Sequence, residues 1–147
     1  MRNKLLVSLL ALPLLALSMS AMAADATGRW KTIDDETGQV KSIVEIYKTT
    51  NGTLAGKVVE VLKSDKPNPV CDKCSGANKN KPITGMVILW GLKAVDDTHW
   101  AGGNILDPAK GKTYKSKITL VEGGKKLQMR GFMGIEALGR TQTWIRE

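Results

Sequence analysis

A chain of 147 residues has room for about one domain. Its net charge of +8 would raise nucleic acid as a partner in the cytosol; on an exported protein it reads instead as a solvated basic face, or one that meets anionic lipid, lipopolysaccharide or acidic glycan. Two cysteines and a single histidine make a poor zinc ligand set, and no metal or other cofactor is expected.

Residues 1–23 read as a signal peptide. Arg2 and Lys4 give a positive start, Leu5 to Leu17 is an apolar run broken by Ser8 and Pro13, and Ala21-Met22-Ala23 is a small-x-small cleavage site. A membrane anchor is the other reading, but the run falls short of the roughly 20 apolar residues that a span requires. Cleavage after Ala23 leaves a single domain over 24–147, periplasmic or secreted, with no transmembrane segment in the mature chain.

The mature chain reads as strand after strand. Gly28-Arg29-Trp30 opens the first, which runs to Ile33 and ends at the acidic turn Asp34 to Gly38. The second covers Val40 to Tyr47, with Val40, Val44 and Ile46 on one face and Ile43 and Tyr47 on the other. Thr50-Asn51-Gly52 predicts a hairpin with a type I′ turn. Leu54 to Leu62, rich in Val58, Val59 and Val61, is the third strand. Lys63 to Lys81 then breaks the rhythm. Its prolines, glycine and asparagines forbid a long regular element, it is rich in lysine, and it carries Cys71 and Cys74. A connection of that length in a small domain is functional or mobile.

Met86 to Leu92 is nearly continuous in apolar residues and predicts a strand covered on both faces. His99 to Leu106 follows. Gly102 and Gly103 allow close backbone approach and a bend. Asp107-Pro108 opens a tight turn that Gly111 closes with positive φ. Lys112 to Val121 alternates, with Tyr114, Ser116, Ile118 and Leu120 on one face and Lys115, Lys117 and Thr119 on the other. Glu122-Gly123-Gly124-Lys125 is a turn. Lys126 to Gly131 places Leu127 and Met129 inward. Phe132 to Gly139 reads as bends at Gly131, Gly134 and Gly139, and Thr141 to Arg146 is a last strand carrying Trp144.

About eight short antiparallel strands leave two open edges unless the sheet closes on itself. The predicted fold is therefore all-β: an up-and-down barrel of about eight strands, wide enough for side chains or one small ligand. An outer-membrane barrel requires aromatic girdles and a lipid-facing apolar band. Four tryptophans, two tyrosines and one phenylalanine, with lysines at the outward positions, do not supply them.

Export places Cys71 and Cys74 where a disulfide is the default. Cys-x-x-Cys also admits a redox site, which needs a helix N-terminus that this loop does not predict, or a metal site. His99 has no serine or cysteine motif to serve, and the turn carboxylates single out no catalytic pair. Trp90, Trp100, Leu106, Tyr114 and Met129 are candidates to line a cavity for a small apolar ligand; the alternative is that they fill a solid core.

Gly28-x-Trp30 in the first strand resembles the opening signature of lipocalins and their calycin relatives. That resemblance implies a structural tryptophan closing one barrel end, with an arginine of the last strand, Arg140 or Arg146, packed across it by a cation–π contact. A longer set of segments resembles a bacterial family, domain of unknown function 2147. They are Gly28-x-Trp30-x-Thr32-Ile33-Asp34-Asp35-x-Thr37-Gly38, Ser42 to Ile46, Cys71-x-x-Cys74, Gly103 to Tyr114 around Asp107-Pro108, Leu127-x-x-Arg130-Gly131-Phe132-x-Gly134 and Gly139 to Trp144. The resemblance implies export and a lipocalin-like barrel, and brings no established activity. The functional expectation is non-catalytic binding of a small hydrophobic or amphipathic ligand. The alternatives are an envelope interaction protein with a filled barrel and a basic surface, or a redox or hydrolytic enzyme.

Overall fold

The structure, a computed structural model, describes residues 25–147, with Ala11 and Pro13 before them; the predicted leader lies outside the described residues. Eight strands follow one another: β1 (Gly28–Ile33), β2 (Val40–Lys48), β3 (Leu54–Val61), β4 (Val87–Ala94), β5 (His99–Asp107), β6 (Lys112–Val121), β7 (Lys126–Phe132) and β8 (Arg140–Arg146). Each pairs antiparallel with the next, and β8 returns to β1 through Trp30↔Arg146 and Lys31↔Ile145. The sheet is a closed barrel, and no strand edge is left unpaired along the circuit.

Alternation sets what faces inward. In β6 Ser116, Ile118 and Leu120 are buried and their neighbours are not, as the sequence pattern predicts. Leu127 and Met129 do the same in β7. β4 departs from its prediction: Ile88, Leu89 and Leu92 are buried, but Val87 is 40% exposed, so one face of the strand meets solvent. Pairing with β3 slips twice, with Lys57 opposite Val87, Gly56 opposite Leu89 and Leu54 opposite Leu92. A bulge thus brings the successive side chains Ile88 and Leu89 into the core, and a second, at the positive-φ Gly91, restores Leu92 to it.

The turns follow their chemistry, with one correction. Gly52 has φ +85° while Asn51 does not enter the left-handed region, and Thr49 N–H donates to Thr53 O at 2.8 Å. The β2–β3 hairpin is thus a three-residue loop with glycine alone in the left-handed position, not a type I′ pair. At the β5–β6 turn Asp107 Oδ1 accepts from the Ala109 N–H at 2.9 Å, and Gly111 N–H donates to Asp107 O at 2.8 Å. In β5, Gly102 takes φ +73° where the pairing with β6 shifts register. A Cβ on Gly103 would stand 2.7 Å from the Leu92 side chain, so the predicted close approach is real. The segment placed only as bends contains one turn of 3-10 helix, Glu136–Leu138.

The strand directions sort the connections onto two ends. One end, the base, carries the β2–β3, β4–β5 and β6–β7 turns and both flanks of the described segment. The other carries the β1–β2 turn, the long β3–β4 connection, the Asp107–Gly111 turn and the β7–β8 loop. Trp30, Ile46, Leu92, Ile118 and Leu127 pack the base half solid.

Candidate functional site

The base is sealed by one arginine. The Arg146 guanidinium lies over the Trp30 ring, 4.3 Å from its centroid. It donates to three carbonyls: Gly124 at 2.7 Å, Thr27 at 2.8 Å and Asp25 at 2.6 Å. Trp30 Nε1 donates to Ala26 O at 2.9 Å. Gly28, at φ +120°, leaves the arginine its room, since a Cβ there would lie 2.9 Å from its Nη1. Of the two arginines left open by the sequence, Arg146 takes this place. Arg140 does not: it starts β8 at the opposite end, exposed, and pairs with Asp35.

At that opposite end the barrel is hollow. A cavity of about 530 Å³ opens between the loops, within the range of small-molecule sites. Its walls are apolar, from Val58, Ile88, Ile105, Leu106, Met129 and Trp144. Trp144 is buried and turns its indole N–H to Gln142 Oε1 at 3.3 Å, another lining residue. Above this floor Thr32 and Ser42 share a hydroxyl–hydroxyl hydrogen bond of 2.7 Å. The rim is made by Pro108, Ala109, Met133 and Leu138 with the cations Lys41, Lys63, Lys110 and Arg140. A void of that size does not fit a barrel packed solid.

Three of the five residues predicted to line a cavity, Leu106, Tyr114 and Met129, are brought together on it. Trp90 and Trp100 are not. Trp100 is the second residue of β5 and is buried in the packed base half. Trp90 pairs with Asn104, which pairs with Lys115, a row on the face opposite Tyr114 and Ser116. Sequence reasoning missed Trp144, placed there only as a signature residue, and the hydroxyl pair, whose small polar residues give no signal of facing a void.

Cys71 and Cys74 are joined as a disulfide, and both are buried. Around it the β3–β4 connection folds on itself: Cys71 N–H donates to Lys81 O and Asn80 N–H to Cys71 O, both at 2.8 Å. The one piece of helix in the connection is a 3-10 turn, Gly76–Asn78, after the second cysteine. The disulfide loop is seated on the Asp107–Gly111 turn. Cys71 Sγ lies 3.5 Å from Pro108 O. Gly111, at φ +67°, is packed against the Lys73 carbonyl and would hold a Cβ 3.0 Å from Cys74 N. Asp107 and Pro108 therefore shape the cavity rim and also carry the loop.

The ordered carboxylates are turn caps. Asp34 accepts from the Glu36 and Thr37 N–H groups at 2.9 and 3.0 Å and pairs with Lys63 at 3.2 Å. The Thr37 amide, then Lys63, lower its pKa to about 2. Asp96 is lowered by the Thr98 amide and by His99, whose Nδ1 is 2.8 Å away, at the base and far from the cavity. Among the described residues no three His, Cys, Asp or Glu side chains converge as metal ligands, and no helix is long and apolar enough to cross a membrane.

The family model described as "Uncharacterized protein conserved in bacteria (DUF2147)" matches residues 28–146. Among solved structures the chain is similar to protein HP1028 of Helicobacter pylori, described as belonging to the lipocalin family. Identity is 21%, each chain is covered over 84% of its length, and the TM-score is 0.74. The likeness extends to the fold. No curated protein matches the chain.

Proposed function

The chain belongs to the DUF2147 family, and from that premise we propose that it is a non-catalytic, exported binding protein, periplasmic or secreted, that takes a small hydrophobic or amphipathic molecule into the open half of its barrel. The observation that carries this reading is the cavity of about 530 Å³ with an apolar floor and a loop-lined rim. Buried apolar surface drives uptake at roughly 25 cal/mol per Å², and the polar rim orients what enters. The buried disulfide, seated on the rim turn, supports a bracing role for the cysteines rather than thiol exchange. Residues 1–23 support export.

Gly131 supplies the test. It lines the cavity, and a Cβ built on it meets Ile105 and Tyr114 at ordinary distances of 3.6 and 3.7 Å, both lining residues. Gly131→Leu is expected to fill the void and leave the fold intact. The wild-type protein should take up the neutral apolar dye N-phenylnaphthylamine with a fluorescence rise, and Gly131→Leu should lose most of it. Equal uptake by both proteins, or none by wild type, rejects the reading.

A further inference from the structure

We propose that the rim of the cavity is an anion-recognising collar, so that the ligand class is a single-chain amphiphile with an anionic head and its tail on the apolar floor. This inference rests on the reading of the cavity as a binding site and narrows it.

Charge on the cavity wall is one-sided. Four cations line it, Lys41, Lys63, Lys110 and Arg140, against one carboxylate, Asp107. Asp107 is already engaged, its Oδ1 accepting the Ala109 N–H inside its own turn. Two of the cations are held in place from behind. Lys63 is bound to Asp34 at 3.2 Å and to Thr37 Oγ1 at 3.4 Å, and Arg140 is bound to Asp35; neither aspartate lines the cavity. The other two, Lys41 and Lys110, form no ion pair among the described residues. They stem from β2 and from the β5–β6 turn, so the unpaired charge comes from separate elements around the mouth.

Polarity is graded with depth. The ammonium and guanidinium groups stand at the rim, the Thr32–Ser42 hydroxyl pair below, and Ile88, Ile105, Met129 and Trp144 on the floor. Lysine and arginine offer donors and no acceptors. A head group rich in charged acceptor oxygens complements them with short charge-assisted hydrogen bonds. A cationic head would meet like charge, and a neutral one would leave the collar to water. Salt screens such exposed charges over about 8–10 Å, so the preference should weaken as salt rises.

The experiment measures the affinity of the intact mature protein for four probes of one chain length, below their micellar concentrations, by calorimetry. They are dodecanoate, dodecyl phosphate, dodecanol and dodecyltrimethylammonium. At low salt the anionic probes should bind about tenfold tighter than dodecanol, a difference of about 1.4 kcal/mol, and the cationic probe weakest. Dodecanoate against dodecyl phosphate separates a carboxylate head from a phospholipid-type head. In the double variant Lys41→Gln/Lys110→Gln the ratio of dodecanoate to dodecanol affinity should collapse towards unity; both side chains are exposed, so folding is not at stake. The double variant Lys41→Arg/Lys110→Arg should keep the ratio. Dodecanol binding as tightly as the anions, or a ratio untouched by the glutamine variant, overturns the collar and leaves the cavity reading standing. Failure of every probe to bind overturns both.

Discussion

Arg146 shows how much of a barrel end can hang on one side chain. Its guanidinium caps Trp30 and satisfies three carbonyls from the chain flank and the β6–β7 turn. Those carbonyls come from residues 25, 27 and 124, so the group holds together segments that no strand pairing joins. Hydrogen bonds to a charged group contribute about 1.5–3 kcal/mol each, and they are not additive within one network. Arg146→Met keeps the stem and removes the network. It is expected to lower the unfolding free energy by about 2–4 kcal/mol, read as a shift of the urea midpoint. A shift corresponding to less than about 0.5 kcal/mol, within the range of ordinary surface changes, would deny it this role. Arg140→Met, which removes an exposed ion pair with Asp35 at the cavity rim, should cost no more than about 1 kcal/mol.

Among the elements, the β3–β4 connection is the one whose conformation the strands do not dictate. Its disulfide closes a loop too small to restrain the unfolded chain strongly; the chain-entropy estimate is about 2 kcal/mol. What it holds is local: the cysteine loop against the Asp107–Gly111 turn. The double variant Cys71→Ser/Cys74→Ser should therefore lose about 2 kcal/mol or less. Amide exchange should rise at Cys71 and Asn80 and at Gly111, while β7 stays protected. Uniform acceleration across all eight strands would instead make the disulfide a global staple.

The strands themselves were legible because the period-2 pattern survives wherever one face is wet, as in β6 and β7. It failed where backbone irregularity intervened. The apolar run of β4 hides the bulges at Leu89 and Gly91. Residue type alone puts Trp90 and Trp100 in the cavity, whereas Trp90 stands in the row of Asn104 and Lys115 and Trp100 near the base end of β5. The cavity's polar and basic members were not legible. Lys41, Lys63 and Lys110 look like any solvated lysines until closure of the sheet brings β2, the β3–β4 connection and the β5–β6 turn to one mouth. Arg146 over Trp30 was legible only as one of two arginines, because the choice depends on which end of β8 meets β1.

For the molecule as a whole, the two halves differ: the base is packed and the top is hollow. The ion pairs at the mouth tie that top together, since Asp34–Lys63 links the β1–β2 turn to the β3–β4 connection. Asp34 has its pKa lowered to about 2, chiefly by the Thr37 amide and then by Lys63, so its carboxylate form is favoured by folding. The stability it contributes is fully present above the ordinary carboxylate range, near pH 4, and is lost as pH falls toward about 2. Asp96 adds a contribution of the same sign at the base, its pKa lowered by the Thr98 amide and His99. Asp34→Asn should flatten the acid limb of a stability–pH curve over that window and leave the curve near neutrality parallel to wild type. An unchanged acid limb would show that the turn does not sense the proton.

Both flanks of the described segment leave from the base: Arg146 reaches back to the Asp25 and Thr27 carbonyls, and the Glu147 N–H donates to Arg29 O at 3.0 Å. Any anchor, linker or reporter attached at either flank therefore departs from the shut side of the molecule. A copy tethered to a bead or a lipid film by such a linker would hold its opening toward the bulk solution.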